Sequence, residues 1–218
     1  MNNEIERLLI EKGMNIVRFV DISGLSVEQT QGFTKAILFC SALSKDYILD
    51  KRNNKKTEHE DFVEKENKTD ALADWLAEYL RAKGYRAYSQ SEKSHADNGN
   101  YDPATLTSIL PHKTIALLSG IGYIGKNNLL ITKQYGCAFS MCTVLTDVPI
   151  KTDKISFVPS TCNGCDICKQ VCLDGAILGK EWSKETSREG VLDVHKCKCE
   201  LKCVVNCPQT LKYALQQA

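Results

Sequence analysis

Eleven cysteines stand in these 218 residues, and eight of them fall between Cys162 and Cys207. They form two quartets. The first is Cys162-x2-Cys165-x2-Cys168-x3-Cys172. The second is Cys197-x-Cys199-x3-Cys203-x3-Cys207, followed by Pro208. In each quartet the third cysteine follows the first by six positions and the fourth follows the third by four. Only the middle cysteine differs, at 199 where strict repetition would use 200, which is Glu200. Thiolates at this density are ligands for soft or borderline metals.

The spacing is a near-repeat of the bacterial run that holds [4Fe–4S] clusters. In such a run three close cysteines clasp three irons of one cube, and the fourth ligates the other cube. The crossing assigns Cys162, Cys165, Cys168 and Cys207 to the first cluster. It assigns Cys197, Cys199, Cys203 and Cys172 to the second. Zinc is the alternative, but its all-thiolate sites show two separated pairs rather than a dense quartet twice. Two departures stand out: Leu173 takes the place where proline often follows the fourth cysteine, and Cys199 is shifted. Two readings of the second quartet therefore stay open. Either both Cys197 and Cys199 ligate, or one is a bystander beside a three-iron cube. Paired cubes serve chiefly as electron relays; a purely structural role is the plainer alternative.

The other three cysteines, Cys40, Cys137 and Cys142, lie in apolar sequence and read as buried thiols that pack as small hydrophobes. The odd total and the cysteine-poor first 161 residues argue against a disulfide framework. Lys196, Lys198 and Lys202 crowd the second quartet, either to balance cluster charge or to dock an acidic donor.

The elements that must carry these ligands follow from patterning. Hydrophobic residues make up 43%, with 28 Lys and Arg against 27 Asp and Glu and a formal net charge of +1. This is the composition of a globular chain, not a disordered or fibrous one. It predicts neither broad electrostatic capture of nucleic acid nor binding of tRNA. No apolar run reaches the roughly 18 residues of a membrane helix. The segment Met1–Asn15 reads as an amphipathic helix rather than a signal peptide, so a cytoplasmic, reducing location is expected.

Residues 1–158 are expected to form an α/β domain and 159–218 a small cysteine-rich one, an α+β protein overall. Ile5, Leu8 and Leu9 mark a helix ending before Gly13, and 15–23 and 35–43 read as strands. The charged run 50–67 reads as a solvated loop and helix face, with a capping box at Thr57 and Glu60. Leu72, Trp75, Leu76, Tyr79 and Leu80 continue that helix to Gly84. A strand is expected over 85–90, a polar loop over 91–100, a buried strand over 137–147 and a linker over 149–160. The last segment has few large apolar residues, which suits a domain folded around inorganic clusters.

Gly120-x-Gly122-x-x-Gly125 fits the dinucleotide fingerprint, but the context is weak. Thr114–Leu118 is as easily helix as strand, and only Asp147 offers an acidic residue beyond it.

The longer string Ser119-Gly-Ile-Gly-Tyr-Ile-Gly-Lys-Asn-Asn-Leu-Leu-Ile131, then Thr143-Val-Leu-Thr-Asp147, then the first quartet, resembles the epoxyqueuosine reductases. These are similar in turn to the corrinoid-dependent reductive dehalogenases. Ala73-Asp-Trp-Leu76 extends the resemblance, which takes in most of the chain. It implies a nitroreductase-like domain that holds cobalamin, followed by a ferredoxin-like domain with two [4Fe–4S] clusters. It places Gly120, Gly122, Gly125, Lys126 and Asn127 against the corrinoid. It also implies a redox donor such as ferredoxin or flavodoxin, and a small-molecule or nucleoside substrate. The family is longer and engages tRNA through C-terminal helical repeats that have no counterpart here. Its catalytic acid sits in an aromatic-x-Asp-Ser-x-Pro string; the corresponding stretch is Thr105–His112, where Ser108 and Pro111 match and the aspartate does not. Asp102 and His112 are the remaining candidate proton donors. Two functions follow: a corrinoid-dependent reductase, or a non-enzymatic electron carrier with a docking domain.

Overall fold

The computed structural model describes residues 1–57, 60–153 and 158–216. In chain order, α1 spans Asn2–Glu11, β1 Ile16–Asp21, α2 Val27–Thr30, β2 Lys35–Ala42, α3 Lys45–Arg52 and α4 Asp61–Ala82. Then come β3 (Ala87–Ser89), α5 (Glu92–Asp97), and the antiparallel pair β4 (Tyr101–Asp102) and β5 (Thr107–Ser108). Next are α6 (His112–Ser119), β6 (Gly122–Ile124), β7 (Leu130–Thr132) and β8 (Phe139–Thr146). The cysteine-rich end carries α7 (Ile167–Gln170), a 3-10 turn at Arg188–Gly190, α8 (Lys202–Val205) and α9 (Pro208–Ala214).

Contacts divide the chain into two compact units, each built from separated stretches. The sheet unit comprises Met1–Ala42, Phe62–Gly120 and Phe139–Ser156. The cysteine unit comprises Leu43–Asp61, Ile121–Ala138 and Phe157–Ala218. The division is therefore not one cut near residue 158. Most of the glycine string groups with the cysteines.

The sheet unit is organised on a four-stranded antiparallel sheet in the order β1-β2-β8-β3. Ile37 and Phe39 of β2 and Cys142 and Val144 of β8 point to one face, where Ile5 and Leu9 of α1 and Leu72, Leu76 and Leu80 of α4 close the core. Alternate residues, Leu38 of β2 and its partner Thr143 of β8, face the other way, toward α6. Both faces are covered, so six consecutive residues of β2 are buried. That is why β2 and β8 read as unbroken apolar runs rather than alternating ones.

Two segments differ from the sequence expectation. The polar stretch 91–100 holds α5, started by Ser91, whose side chain accepts from the Ser94 amide. Part of the charged run is helical earlier than expected, as α3. Ser44 caps it, accepting from Tyr47 N at 3.4 Å, with Asp46 in the first turn and Lys51 and Arg52 in the last, charges that complement the helix dipole. Short helices set by caps carry no long apolar period to read. The capping box expected over 57–60 runs through residues 58–59, which lie outside the described residues; α4 begins at Asp61. Residues 154–157 of the expected linker also lie outside them. No helix among the described residues is long and apolar enough to cross a membrane.

Candidate metal centre

Each cysteine quartet builds the same local form. Cys165 N bonds back to Cys162 O at 2.9 Å through a turn in which Gly164 takes φ +72°. The chain then enters α7, which carries Cys168, and Cys172 leaves it with its amide on Lys169 O at 3.4 Å. In the second quartet α8 carries Cys203, and Cys207 leaves with its amide on Val204 O at 3.2 Å. Pro208 then opens α9 at a position where a missing N–H costs nothing. The two short helices pack on each other. Ala176, Ile177, Val191, Val204 and Val205 are buried within the same unit.

Cys162, Cys165, Cys168 and Cys207 line one cavity of about 140 Å³. This is the set that the crossed assignment groups together. By the same measure a single water needs roughly 10–15 Å³, so the space suits a polyatomic group rather than one ion. Among the described residues no three His, Cys, Asp or Glu side chains converge on a point that would hold a single metal ion. Burial, then the neighbouring Cys162, pushes the Cys168 thiol up to about 11. Such a thiol ionises only when a cation supplies the compensating charge, as bound iron does. The donor set and the cavity fit a [4Fe–4S] cluster.

The rest of the wall comes largely from the glycine string: Tyr123, Lys126 and Asn127, with Ile131 of β7. Tyr123 OH shares a 2.6 Å hydrogen bond with Thr161, which also accepts from Gln209 Nε2 at 3.0 Å. Lys126, only 8% exposed, extends to Asp166 Oδ1 at 3.0 Å. Hydrogen bonding to Asp166 raises the Lys126 pKa further, so the ammonium stays charged beside the cavity.

The glycines of the string serve the backbone. Gly120 ends α6 in the left-handed conformation at φ +69°. A methyl group at Gly122 would overlap the carbonyl of Ile131 across the β6–β7 hairpin, and one at Gly125 would overlap the Ile131 side chain. The string follows a helix and enters a hairpin, not the strand–turn–helix of a dinucleotide site. The close approaches at Gly122 and Gly125 are filled by this chain's own atoms. Lys126 and Asn127 face the cysteine-lined cavity.

Around the second quartet, burial and then the neighbours Cys197, Cys168 and Cys172 push the Cys203 thiol up to about 12. Cys199 is exposed and holds φ +54°, and Leu201 two residues on holds φ +60°. Both left-handed non-glycine residues lie within the shortened C-x-C-x3-C stretch. The nearby lysines are engaged locally: Lys196 with Asp193 at 2.9 Å, Lys198 with Asp174 at 3.2 Å, and Lys202 with the Asn54 side chain.

The two candidate proton donors belong to the sheet unit. Asp102 accepts from Thr105 Oγ1 at 2.7 Å and Ala104 N at 2.9 Å, bonds that lower its pKa and keep it ionised. His112 starts α6 with Nδ1 2.8 Å from Thr143 Oγ1, and Thr143 in turn donates to Gln90. Desolvation, then the nearby His95, pushes His112 down to about 4, so its ring is neutral at neutral pH. Neither group is a ready acid there.

The residue that sequence reasoning missed is Cys137. It is buried, as expected, but its sulfur also accepts from Asn127 Nδ2 at 3.5 Å and lies 3.5 Å from Thr210 Oγ1. The only signal in the sequence is an additional cysteine that the two quartets do not need.

No family model matches the chain. It is similar to the epoxyqueuosine reductase of Lactococcus garvieae, 29% identical over 102 residues, 47% of this chain and 26% of that protein. The matched stretch thus spans about a quarter of that relative. Among solved structures, the epoxyqueuosine reductase of Bacillus subtilis superposes with a TM-score of 0.58 at 16% identity, covering 95% of this chain and 66% of that one. A catabolic reductive dehalogenase in complex with 3-bromo-4-hydroxybenzoic acid gives 0.63 at 19%, covering 85% and 27%. At these identities the structures share a fold. The resemblance to the epoxyqueuosine reductases thus extends in sequence over 47% of the chain and in fold over 95% of it.

Proposed function

We propose that the chain is an iron–sulfur redox protein of the epoxyqueuosine-reductase-like kind. It holds two [4Fe–4S] clusters in a ferredoxin-like arrangement and relays electrons toward a site in a nitroreductase-like sheet domain. The observation that carries this reading is the gathering of Cys162, Cys165, Cys168 and Cys207 around one cavity from stretches about 40 residues apart in the chain. When bound, such a cluster supplies reversible one-electron storage. The protein's own share is to exclude water with Tyr123 and Ile131, and to set a fixed positive charge, Lys126, beside the accepted electron. Cys172, Cys197, Cys199 and Cys203 are the ligands of the second cluster. The donor is a small redox protein such as ferredoxin or flavodoxin, and the compartment is the reducing cytoplasm, where eight thiols stay available.

The relatives make a small-molecule or nucleoside reduction the parallel activity. A reductive dehalogenase structure with this fold is described by its mechanism for B12-dependent dehalogenation. In this chain Ile131 fills the space beside Gly122 and Gly125, Asp102 is tied in a turn and His112 is neutral. Those three observations favour the second reading, an electron carrier whose sheet domain docks a partner.

Anaerobic purification with cobalamin present, followed by assay of iron, sulfide and cobalt, tests both. About eight irons per chain is expected. Zinc in place of iron would end the cluster reading. Full iron without cobalt, and no change in the corrinoid spectrum on titration, would select the carrier over the reductase.

A further inference from the structure

The basic run at the end of α3 is held against the helix that carries Cys203. Residues 51–56 hold Lys51, Arg52, Lys55 and Lys56 with no acid among them. The stretch Leu43–Asp61 groups with the cysteine unit, and α3 packs on both α8 and α9. Lys202, the residue before Cys203, brings a further cation to the same place. Its Nζ reaches Lys51 O at 3.5 Å and donates to the Asn54 side chain. A lysine at a helix C-terminus is stabilised by the helix dipole, which accounts for Lys202. It does not account for the others. Lys51 is paired with Glu60 at 3.1 Å and Lys55 with Asp50 at 3.3 Å. Arg52 and Lys56 are exposed and have no acidic partner among the described residues. Like charges gathered at one helix end repel each other, and an anionic partner relieves that repulsion.

We propose that this basic edge, Arg52, Lys55 and Lys56 together with Lys202, is the docking surface for a small acidic electron-donor protein that reduces the second cluster. Two observations fix the partner's chemistry. The edge presents cations that this chain leaves uncompensated, so it fits an acidic face. It also packs on α8, which carries Cys203, and the same quartet exposes Cys199, whereas the first set is walled. Nucleic acid is a poorer fit, because the run is short and the whole chain has a formal net charge of only +1. One electron leaves the donor, which is oxidised, and enters the cluster held by Cys172, Cys197, Cys199 and Cys203. No bond forms or breaks. The inference rests on the proposed ligation of that second cluster.

The test uses the anaerobically purified full chain, with a flavodoxin as the acidic donor. One double variant, Arg52→Glu with Lys56→Glu, reverses the edge. A second, Lys93→Glu with Lys151→Glu, makes the same change in net charge at exposed lysines of the sheet unit. Iron is assayed in each and should be unchanged. At low ionic strength, the rate of reduction by photoreduced flavodoxin should fall about tenfold in the edge variant and stay at the wild-type value in the other. Reduced methyl viologen, a small cation, should reduce all three proteins with no loss of rate. Calorimetric titration with oxidised flavodoxin should show a Kd raised about tenfold in the edge variant alone, with a weaker salt dependence. Arg52→Gln with Lys56→Gln should fall between wild type and reversal. Undiminished reduction and binding in the edge variant would overturn the inference. So would equal losses in the two reversed variants, which would make net charge rather than a local surface the cause. Edge-dependent binding of an RNA hairpin, with none of flavodoxin, would overturn it in favour of a nucleic-acid contact. A wild-type chain without iron would sink the cluster assignment, while calorimetry would still decide whether the edge binds the acidic protein.

Discussion

The two cysteine quartets share their outer spacing and a short central helix, yet the chain treats them differently. The first, closed by Cys207, faces a walled cavity with Tyr123, Lys126 and Asn127 on its far side and Cys137 behind it. The second places Cys199 in the open on left-handed backbone. What surrounds a ligand set decides solvent access, charge and hydrogen bonding, and these set the potential of a cluster. One spacing can therefore give two ligand sets with different surroundings.

The largest expected effect comes from removing a ligand of each quartet. Cys162→Ala should reduce iron from about eight to about four per chain, because the walled set then has three thiolates and a breached cavity. Cys199→Ala should keep about seven, with a three-iron EPR signal in the oxidised protein, since Cys172, Cys197 and Cys203 remain. Equal losses in the two variants would erase the contrast between a closed and an open site.

The next effect probes whether the wall is as rigid as the comparison needs. Gly122→Ala puts a methyl group into the Ile131 carbonyl. It should cost about 3 kcal/mol, the upper end of overpacking penalties, because the obstacle is backbone. Urea unfolding of the purified protein measures it, and wild-type stability would show that the hairpin yields. Iron content should fall in parallel if the hairpin supports the cavity.

The smallest effect lies in the sheet unit, which has a large apolar core. His112 is depressed to about 4, so the unfolded state takes up its proton first as pH falls. The stability held at neutral pH is lost progressively below an unfolded-state pKa near 6.5. About 1 kcal/mol should go between about pH 7.5 and about pH 5.5. His112→Asn, which keeps a polar partner for Thr143, should flatten that difference in paired denaturation curves. An unchanged slope would mean that His112 does not titrate with folding.

Much of the sheet unit was legible in the chain. The strands around Ile16–Asp21, Lys35–Ala42 and Phe139–Thr146 were read because long apolar runs leave few other options, and α4 because its apolar period persists to Gly84. The missed helices α3 and α5 are eight and six residues long and depend on serine caps, whose signal is one side chain rather than a period. The cysteine spacing picked out the four thiols, Cys162, Cys165, Cys168 and Cys207, that line one cavity. It could not show that Lys126 and Asn127 look into the same cavity, because their distance from the quartet in sequence carries no geometry. Nor could it separate Cys137 from Cys40 and Cys142, two thiols in similarly apolar sequence that remain core residues.

By itself the sequence determined which residues are able to bind metal and where the long apolar elements run. Those properties are local: ligand chemistry follows residue type and short spacing, and elements follow hydrophobic period. Tertiary structure alone decided that Gly122 and Gly125 serve hairpin packing, and that Lys126 and Asn127 line the same cavity as the first three cysteines and Cys207. It alone also decided that Cys137 lies against Thr210. These are contacts between segments far apart along the chain, and only close packing of the folded backbone specifies them.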